Sequence, residues 1–77
     1  MKIIVLGAGL IGKTIAVDLS STYDVTCADI HEATLQTISE QHSVKTAVCN
    51  FRDTQVLKEL IQPFDLVVGA VPGFMGF

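Results

Sequence analysis

Three glycines near the start of the chain form the pattern Gly-X-Gly-X-X-Gly at positions 7, 9 and 12. The pattern follows an apolar run that predicts a strand, and it precedes a stretch of helical periodicity. Gly7 permits the tight turn, Gly9 removes a Cβ that would hold an anion away from the backbone, and Gly12 lets the helix approach the strand. The N–H groups that begin such a helix bind anions. This spacing therefore predicts a site for the pyrophosphate of a dinucleotide.

An acidic residue, Asp29, stands at the C-terminal end of the second predicted strand. A carboxylate there can accept hydrogen bonds from the adenosine ribose hydroxyls, and its charge repels a 2′-phosphate. The next residues, Ile30, His31 and Glu32, include no Lys or Arg that would neutralise such a phosphate. The pattern favours NAD over NADP as the cofactor. The alternative role of Asp29 is to cap the next helix only. His31 could gain a partial charge near a phosphate, but the pattern favours a solvated loop histidine.

Two further strand ends complete this predicted edge. Asn50 and Phe51 follow the third strand, where an adenine ring would lie, although Phe51 fits a plain core position equally well. Ala70, Val71 and Pro72 leave the fourth strand beside the first, at the topological switch point where ligands of this fold bind.

The elements that must position these residues alternate along the chain. Strands are predicted at 2–6, 24–28, 43–49 and 65–70, and helices at 10–20, 32–41 and 54–62. Since the connections are short, each helix crosses over between parallel strands. The fold class is therefore α/β, a doubly wound parallel sheet with strand order 3-2-1-4, which is a truncated Rossmann fold.

Each predicted helix carries an apolar stripe. The stripes are Leu10, Ile11, Ile15, Ala16 and Leu19 on the first, Leu35 and Ile38 on the second, and Val56, Leu57, Leu60 and Ile61 on the third. Asp53 is the predicted N-cap of the third helix, and Pro63 ends it.

Composition excludes several classes of function. The 77 residues allow a single domain, 1–77, and an apolar fraction of 49% excludes disorder. A net charge of −3 without a basic cluster predicts no nucleic-acid partner. No apolar run is long enough to span a membrane, and no signal peptide is recognisable. Cys27 and Cys49 are expected to be buried reduced thiols, which together with the absent signal predicts a cytoplasmic protein.

No catalytic or metal-binding set is recognisable. The two histidines, His31 and His42, stand apart, and no cysteine or acidic residue completes a ligand spacing around them. Lys13 follows the glycines, but the spacing is not that of a P-loop. The sequence therefore predicts no catalytic residue and no metal site in this chain.

Three blocks of the sequence resemble the start of the saccharopine dehydrogenase and L-lysine dehydrogenase family. They are residues 1–12, 24–29 and, most specifically, 65–74 with Pro-Gly-Phe after the fourth strand. The resemblance implies an oxidoreductase in which a Rossmann domain precedes an α/β substrate and dimerisation domain, and which oxidises the amine of an amino acid with NAD(P). It also implies that the amino-acid substrate and the catalytic groups belong to a longer chain.

Carried over by position, the resemblance implies cofactor contacts at Gly7, Gly9, Leu10, Ile11, Gly12, Asp29, Ala70, Val71 and Pro72. Family members often have an acidic residue where this chain has Asn50, which makes the adenine-side contact less secure.

A second hypothesis comes from another class of protein. The RCK domains of potassium transporters have a similar glycine pattern and acidic residue, but bind the dinucleotide as an effector and catalyse nothing. They rank second because their fourth strand usually runs into polar residues. A third hypothesis treats the 77 residues as a stand-alone folded module with an orphaned motif. It requires a partner or self-association to cover the apolar residues 71–77 and the open fourth-strand edge, and we expect a homo-oligomer.

Overall fold

A computed structural model describes residues 1–69, in which strands and helices alternate. The strands are β1 (Lys2–Leu6), β2 (Asp24–Asp29), β3 (Lys45–Val48) and β4 (Leu66–Gly69), and the helices are α1 (Leu10–Ser20), α2 (Glu32–Gln41) and α3 (Thr54–Ile61). The strands form one parallel sheet in the order β3-β2-β1-β4. The predicted fold class and strand order are confirmed.

Strand β1 lies in the middle of the sheet and pairs with β2 on one side and β4 on the other. Its residues Ile3, Ile4, Val5 and Leu6 are almost completely buried. This is why β1 is a continuous apolar run rather than an alternating one, since both faces of a parallel sheet are covered by helices.

Two separate cores cover the two faces of the sheet. One contains Ile3, Val5, Val25 and Cys27 with Ala16 of α1 and Leu35 and Ile38 of α2. The other contains Ile4, Leu6, Ala28 and Cys49 with Leu57 of α3. Because the helices lie on both faces, the sheet is doubly wound, and the carboxyl ends of β1, β2 and β4 meet at one edge.

The apolar stripe predicted for α1 is wrong at its first two positions. Ala16 is buried, and Ile15 and Leu19 pack against the first core, whereas Leu10 and Ile11 are 83% and 70% exposed. The buried face of α1 carries Gly12 and Ala16, and at about 100° per residue Leu10 lies on the opposite side of the helix and Ile11 at the margin of the buried face.

Strand β3 is shorter than predicted and lies at the edge of the sheet. Its register joins Thr26 to Lys45 and Asp29 to Val48, so positions 43, 44 and 49 lie outside the ladder. Val44 and Cys49 are nevertheless buried. The apolar pattern therefore marked buried residues correctly but overstated the length of an edge strand. At the other edge of the sheet, the strand predicted at 65–70 is observed at Leu66–Gly69. Residue 70 lies outside the described part of the chain.

The N-cap of α3 is the one predicted. The Asp53 carboxylate accepts a hydrogen bond of 3.3 Å from the N–H of Val56. The helix ends at Ile61, and Gln62 and Pro63 follow it. No helix in residues 1–69 is long and apolar enough to cross a membrane.

Replacing this cap gives a measurable loss of stability. We expect Asp53→Ala to lower the free energy of unfolding by about 1 kcal/mol, because the N–H of Val56 loses its acceptor. Urea unfolding followed by circular dichroism measures the change. The exposed Glu59→Ala in the same helix removes the same charge without removing a cap, and an equal loss in that variant would contradict the capping role.

Candidate functional site

The glycine turn joins β1 to α1 at the carboxyl edge of the sheet. Gly7 has φ 113°, a conformation that residues with a Cβ rarely adopt, and its N–H donates to the carbonyl of Ala28 at 2.7 Å. Gly9 is the N-cap of α1, and Gly12 is buried in the first turn. The three glycines therefore occupy the turn, the cap and the helix–sheet contact that their spacing predicts.

The start of α1 presents backbone donors. Gly9 supplies no side-chain cap, and the first N–H groups of a helix, here those of Leu10, Ile11 and Gly12, have no partner within the helix. Apart from its two chain neighbours, no residue of 1–69 lies within 4 Å of a Cβ added at Gly9. In this part of the chain, open space therefore lies directly against the N-terminus of α1, where the helix dipole favours an anion.

The carboxylate of Asp29 lies against the same turn. Its Oδ2 accepts a hydrogen bond of 2.7 Å from the N–H of Ala8, between the first two glycines. Its Oδ1 lies 2.9 Å from both the backbone N and the ring Nδ1 of His31. Asp29 therefore connects the end of β2 to the glycine turn. The N-cap of α2 is His31 rather than Asp29.

These contacts keep Asp29 ionised. Burial alone would raise its pKa, but hydrogen bonds from the backbone N–H groups of His31 and Ala8 and from the His31 ring outweigh burial and hold the pKa of Asp29 below its ordinary value. A fixed negative charge thus stands at the carboxyl end of β2.

The sequence prediction does not include the pairing of His31 with Asp29 or the hydrogen bond from Ala8 to Asp29. The Asp-X-His spacing contains a signal for the first, because an Asp side chain often accepts from the N–H two residues further on. The contact with Ala8 joins residues of two different strand ends, so only the folded sheet reveals it.

The two cysteines are free and buried, as predicted. Cys27 lies beneath the turn with its Sγ 3.5 Å from the carbonyl oxygen of Gly7. Burial, together with the nearby charge of Asp29, raises the pKa of Cys27 to about 11. Burial also raises the pKa of Cys49, with a contribution from Asp53. Neither thiol is ionised near neutral pH, so both are packing residues rather than nucleophiles.

The end of β3 lies beside the end of β2, because the N–H of Cys49 donates to the carbonyl of Asp29 at 3.0 Å. Asn50 is exposed and begins a turn in which its Oδ1 accepts from the N–H of Arg52 at 3.1 Å. Phe51 is partly buried and packs against the second core. The adenine contacts predicted for Asn50 and Phe51 stay predictions.

The end of β4 lies on the other side of the glycine turn, since Gly69 pairs with Leu6. The cofactor contacts predicted at Ala70, Val71 and Pro72 lie outside the described residues. Within residues 1–69, no group of three or more His, Cys, Asp or Glu side chains could hold a metal ion.

The residues brought together fit a dinucleotide. Uncapped N–H donors face open space at Gly9, and an ionised carboxylate stands at the end of the neighbouring strand. The first can hold a pyrophosphate and the second a ribose diol.

Comparison with known protein families identifies the family of this chain. The sequence model of the family described as the saccharopine dehydrogenase NADP binding domain matches residues 3–76. The chain belongs to this family. As a saccharopine dehydrogenase-type domain it is an NAD(P)-binding Rossmann domain, which confirms the resemblance seen in the sequence.

Individual known proteins share the fold of this chain or part of its sequence. The structure is similar to saccharopine dehydrogenase (L-Glu forming) from Saccharomyces cerevisiae, with a TM-score of 0.83, 20% identity and 92% of this chain covered. It is also similar to a 3-hydroxyacyl-CoA dehydrogenase from Archaeoglobus fulgidus, with a TM-score of 0.72, 28% identity and the same 92% coverage. In sequence, 60 residues are 38% identical to the Trk system potassium uptake protein TrkA of Haemophilus influenzae, a match that covers 77% of this chain.

These relatives are much longer than the 77 residues. The chain spans 16% of the yeast enzyme, 24% of the archaeal enzyme and 13% of TrkA. The saccharopine dehydrogenase-type domain thus corresponds to one part of each relative.

Proposed function

We propose that this domain binds NAD(H) in preference to NADP(H), as the coenzyme-binding part of an oxidoreductase that acts on the amine of an amino acid. The family establishes dinucleotide binding. The preference for NAD and the amino-acid substrate are what we propose. The preference for NAD differs from the NADP named in the family description.

The observation that carries the preference is the Asp29 carboxylate. It is held by Ala8 and His31 at the edge where the ribose of a dinucleotide lies, and its ion-pair partner among residues 1–69 is His31. An ionised carboxylate accepts hydrogen bonds from the ribose hydroxyls but repels a 2′-phosphate, which carries a charge of about −1.5 to −2 at pH 7. This charge supports the proposed preference for the dinucleotide without that phosphate.

The residues of this chain bind and orient rather than catalyse. The start of α1 holds the pyrophosphate, and Asp29 fixes the ribose, which sets the direction in which the cofactor lies across the sheet edge. When bound, NAD accepts a hydride from the carbon that carries the amine. The amino-acid substrate is met by parts of a longer chain.

Titration of the purified protein with NAD⁺ and, separately, NADP⁺ tests the proposed preference. We expect NAD⁺ to bind at least about tenfold more tightly, because repulsion of a 2′-phosphate a few ångströms from Asp29 costs about 1.4 kcal/mol or more. Isothermal calorimetry at low and moderate ionic strength measures both affinities. Equal or tighter binding of NADP⁺ would overturn the preference while leaving dinucleotide binding intact.

A second candidate function is a sensor that binds the dinucleotide as an effector, and the match to TrkA favours it. The two candidates differ in chemistry. The full-length gene product is mixed with NAD⁺, and the absorbance of the reduced nicotinamide is measured. Reduction that depends on added L-lysine or saccharopine supports the oxidoreductase. Dinucleotide binding without reduction by any amino acid supports the sensor.

A further inference from the structure

The imidazole of His31 lies directly against the carboxylate of Asp29. Its Nδ1 is 2.9 Å from Asp29 Oδ1, and its side chain is 76% exposed whereas that of Asp29 is 15% exposed. An ionised carboxylate only accepts hydrogen bonds, so Nδ1 is the donor in this pair. The other ring nitrogen is then the one that gains or loses a proton.

We propose that His31 is a specificity-determining residue, whose protonation sets how strongly the site discriminates against a dinucleotide with a 2′-phosphate. The inference rests on the proposed function, because it assumes that Asp29 faces the ribose. His31 acts through Asp29 and through its own charge, not by taking part in a reaction.

Two charge states follow from the geometry. With a neutral ring, the pair Asp29–His31 carries one negative charge next to the ribose, and a 2′-phosphate is repelled. With a protonated ring, the pair is neutral overall and places a cation beside the phosphate. A lower pH favours the protonated ring, so the same site becomes more permissive to the phosphorylated dinucleotide as the pH falls.

The other titratable and charged groups near this pair lie on α2, on β2 and on the loop after β3. Glu32 follows His31 at the start of α2, and Cys27 lies beneath Asp29 with a pKa of about 11, so its thiol stays neutral throughout this range. On the neighbouring loop after β3, Arg52 and Asp53 are exposed. Within residues 1–69, the ion-pair partner of Asp29 is His31.

A glutamine at position 31 isolates the role of the ring. His31→Gln keeps the backbone N–H that donates to Asp29 at 2.9 Å, so the carboxylate stays in place while the titrating group is removed. The matched control is His42→Gln, which removes the other histidine at the opposite end of α2, about 15 Å along the helix.

The affinities of NAD⁺ and NADP⁺ are measured by calorimetry for the three proteins at about pH 8, 7 and 5.5. The 2′-phosphate itself gains a proton near pH 6, so some relative gain for NADP⁺ at low pH is expected in every variant. Between the highest and the lowest of these pH values, we expect the preference for NAD⁺ to fall about tenfold more in the wild type and in His42→Gln than in His31→Gln.

Each outcome is decisive. An identical pH profile in His31→Gln and the wild type overturns the role of His31 while leaving the proposed NAD preference standing. If His42→Gln flattens the profile as much as His31→Gln does, the effect is not local to Asp29 and the inference also fails. If no dinucleotide binds the wild-type protein at any pH, the proposed function itself is wrong.

Discussion

Gly9→Val is expected to abolish dinucleotide binding while the protein stays folded. Among the described residues 1–69 other than its two chain neighbours, nothing lies within 4 Å of a Cβ built at Gly9, and its φ of −65° suits residues other than glycine. The valine side chain therefore costs the fold little, about 1 kcal/mol or less from the loss of a favourable N-cap residue. It does, however, fill the space in which a pyrophosphate must approach the N-terminus of α1.

The expected loss of affinity is large because several bonds fail together. Hydrogen bonds from backbone N–H groups to a charged phosphate contribute about 1.5–3 kcal/mol each, so losing two of them weakens binding at least about 100-fold. Calorimetric titration with NAD⁺ measures this loss, and circular dichroism with urea unfolding measures the stability of the same sample.

The control for Gly9→Val lies at the other end of the same helix. Ser21 is the exposed C-cap of α1, and Ser21→Val adds similar apolar bulk far from the glycine turn. We expect that variant to bind NAD⁺ as the wild type does. Affinity retained in Gly9→Val would place the pyrophosphate elsewhere, even if the protein still binds the dinucleotide.

The strand order could be predicted from the sequence because it follows from local patterns. Short apolar runs separated by helical segments allow few parallel arrangements, and the right-handed crossover selects one of them. The roles of Gly7, Gly9 and Gly12 could be predicted for a similar reason, since a strand-to-helix turn restricts the backbone at each position.

The exposure of Leu10 and Ile11 could not be predicted in this way. Small residues, Gly12 and Ala16, form the face of α1 that approaches the sheet, and apolar size alone does not mark such a face. Leu10 lies on the opposite side of the helix and Ile11 at the margin of the buried face, so both stay exposed. At the same edge, the pairing of Asp29 with Ala8 and His31 depends on a side-chain rotamer and on the register of β1 with β2.

Exposed apolar side chains at this edge also fit the proposed function. Leu10 and Ile11 stand at the N-terminus of α1, beside the N–H donors, and Ile30 is exposed directly after Asp29. A bound dinucleotide presents flat apolar surfaces as well as charges, and ligand sites combine apolar walls with a few polar groups that fix orientation. Leu10, Ile11 and Ile30 thus lie where the proposed dinucleotide would bind.

Asp29→Asn is expected to reduce the affinity for NAD⁺ about tenfold or more and to remove most of the discrimination against NADP⁺. The asparagine keeps the shape of the side chain but loses the charge, and one of its two terminal groups is a donor that cannot serve Ala8 or His31 in place of the carboxylate oxygen. The ribose then loses a charge-assisted hydrogen bond, while a 2′-phosphate is no longer repelled.

The same substitution changes how stability depends on pH. Because the folded-state pKa of Asp29 is lowered, its carboxylate contributes stability that is fully present above its ordinary value of 3.8 and is lost as the pH falls below it. We therefore expect Asp29→Asn to be less stable than the wild type at neutral pH and to lose less of its remaining stability on acidification through about pH 4. Urea unfolding at several pH values measures both effects.

The control is the same change at the other end of the same strand. Asp24 begins β2 and pairs with Lys45 at 3.3 Å, about 17 Å from Asp29 along the strand. Asp24→Asn changes the net charge equally but leaves the ribose edge intact, so both dinucleotides should keep their wild-type affinities. If the ratio of NAD⁺ to NADP⁺ affinity is unchanged in Asp29→Asn, the ribose does not lie on Asp29, and the preference for NAD loses its structural basis.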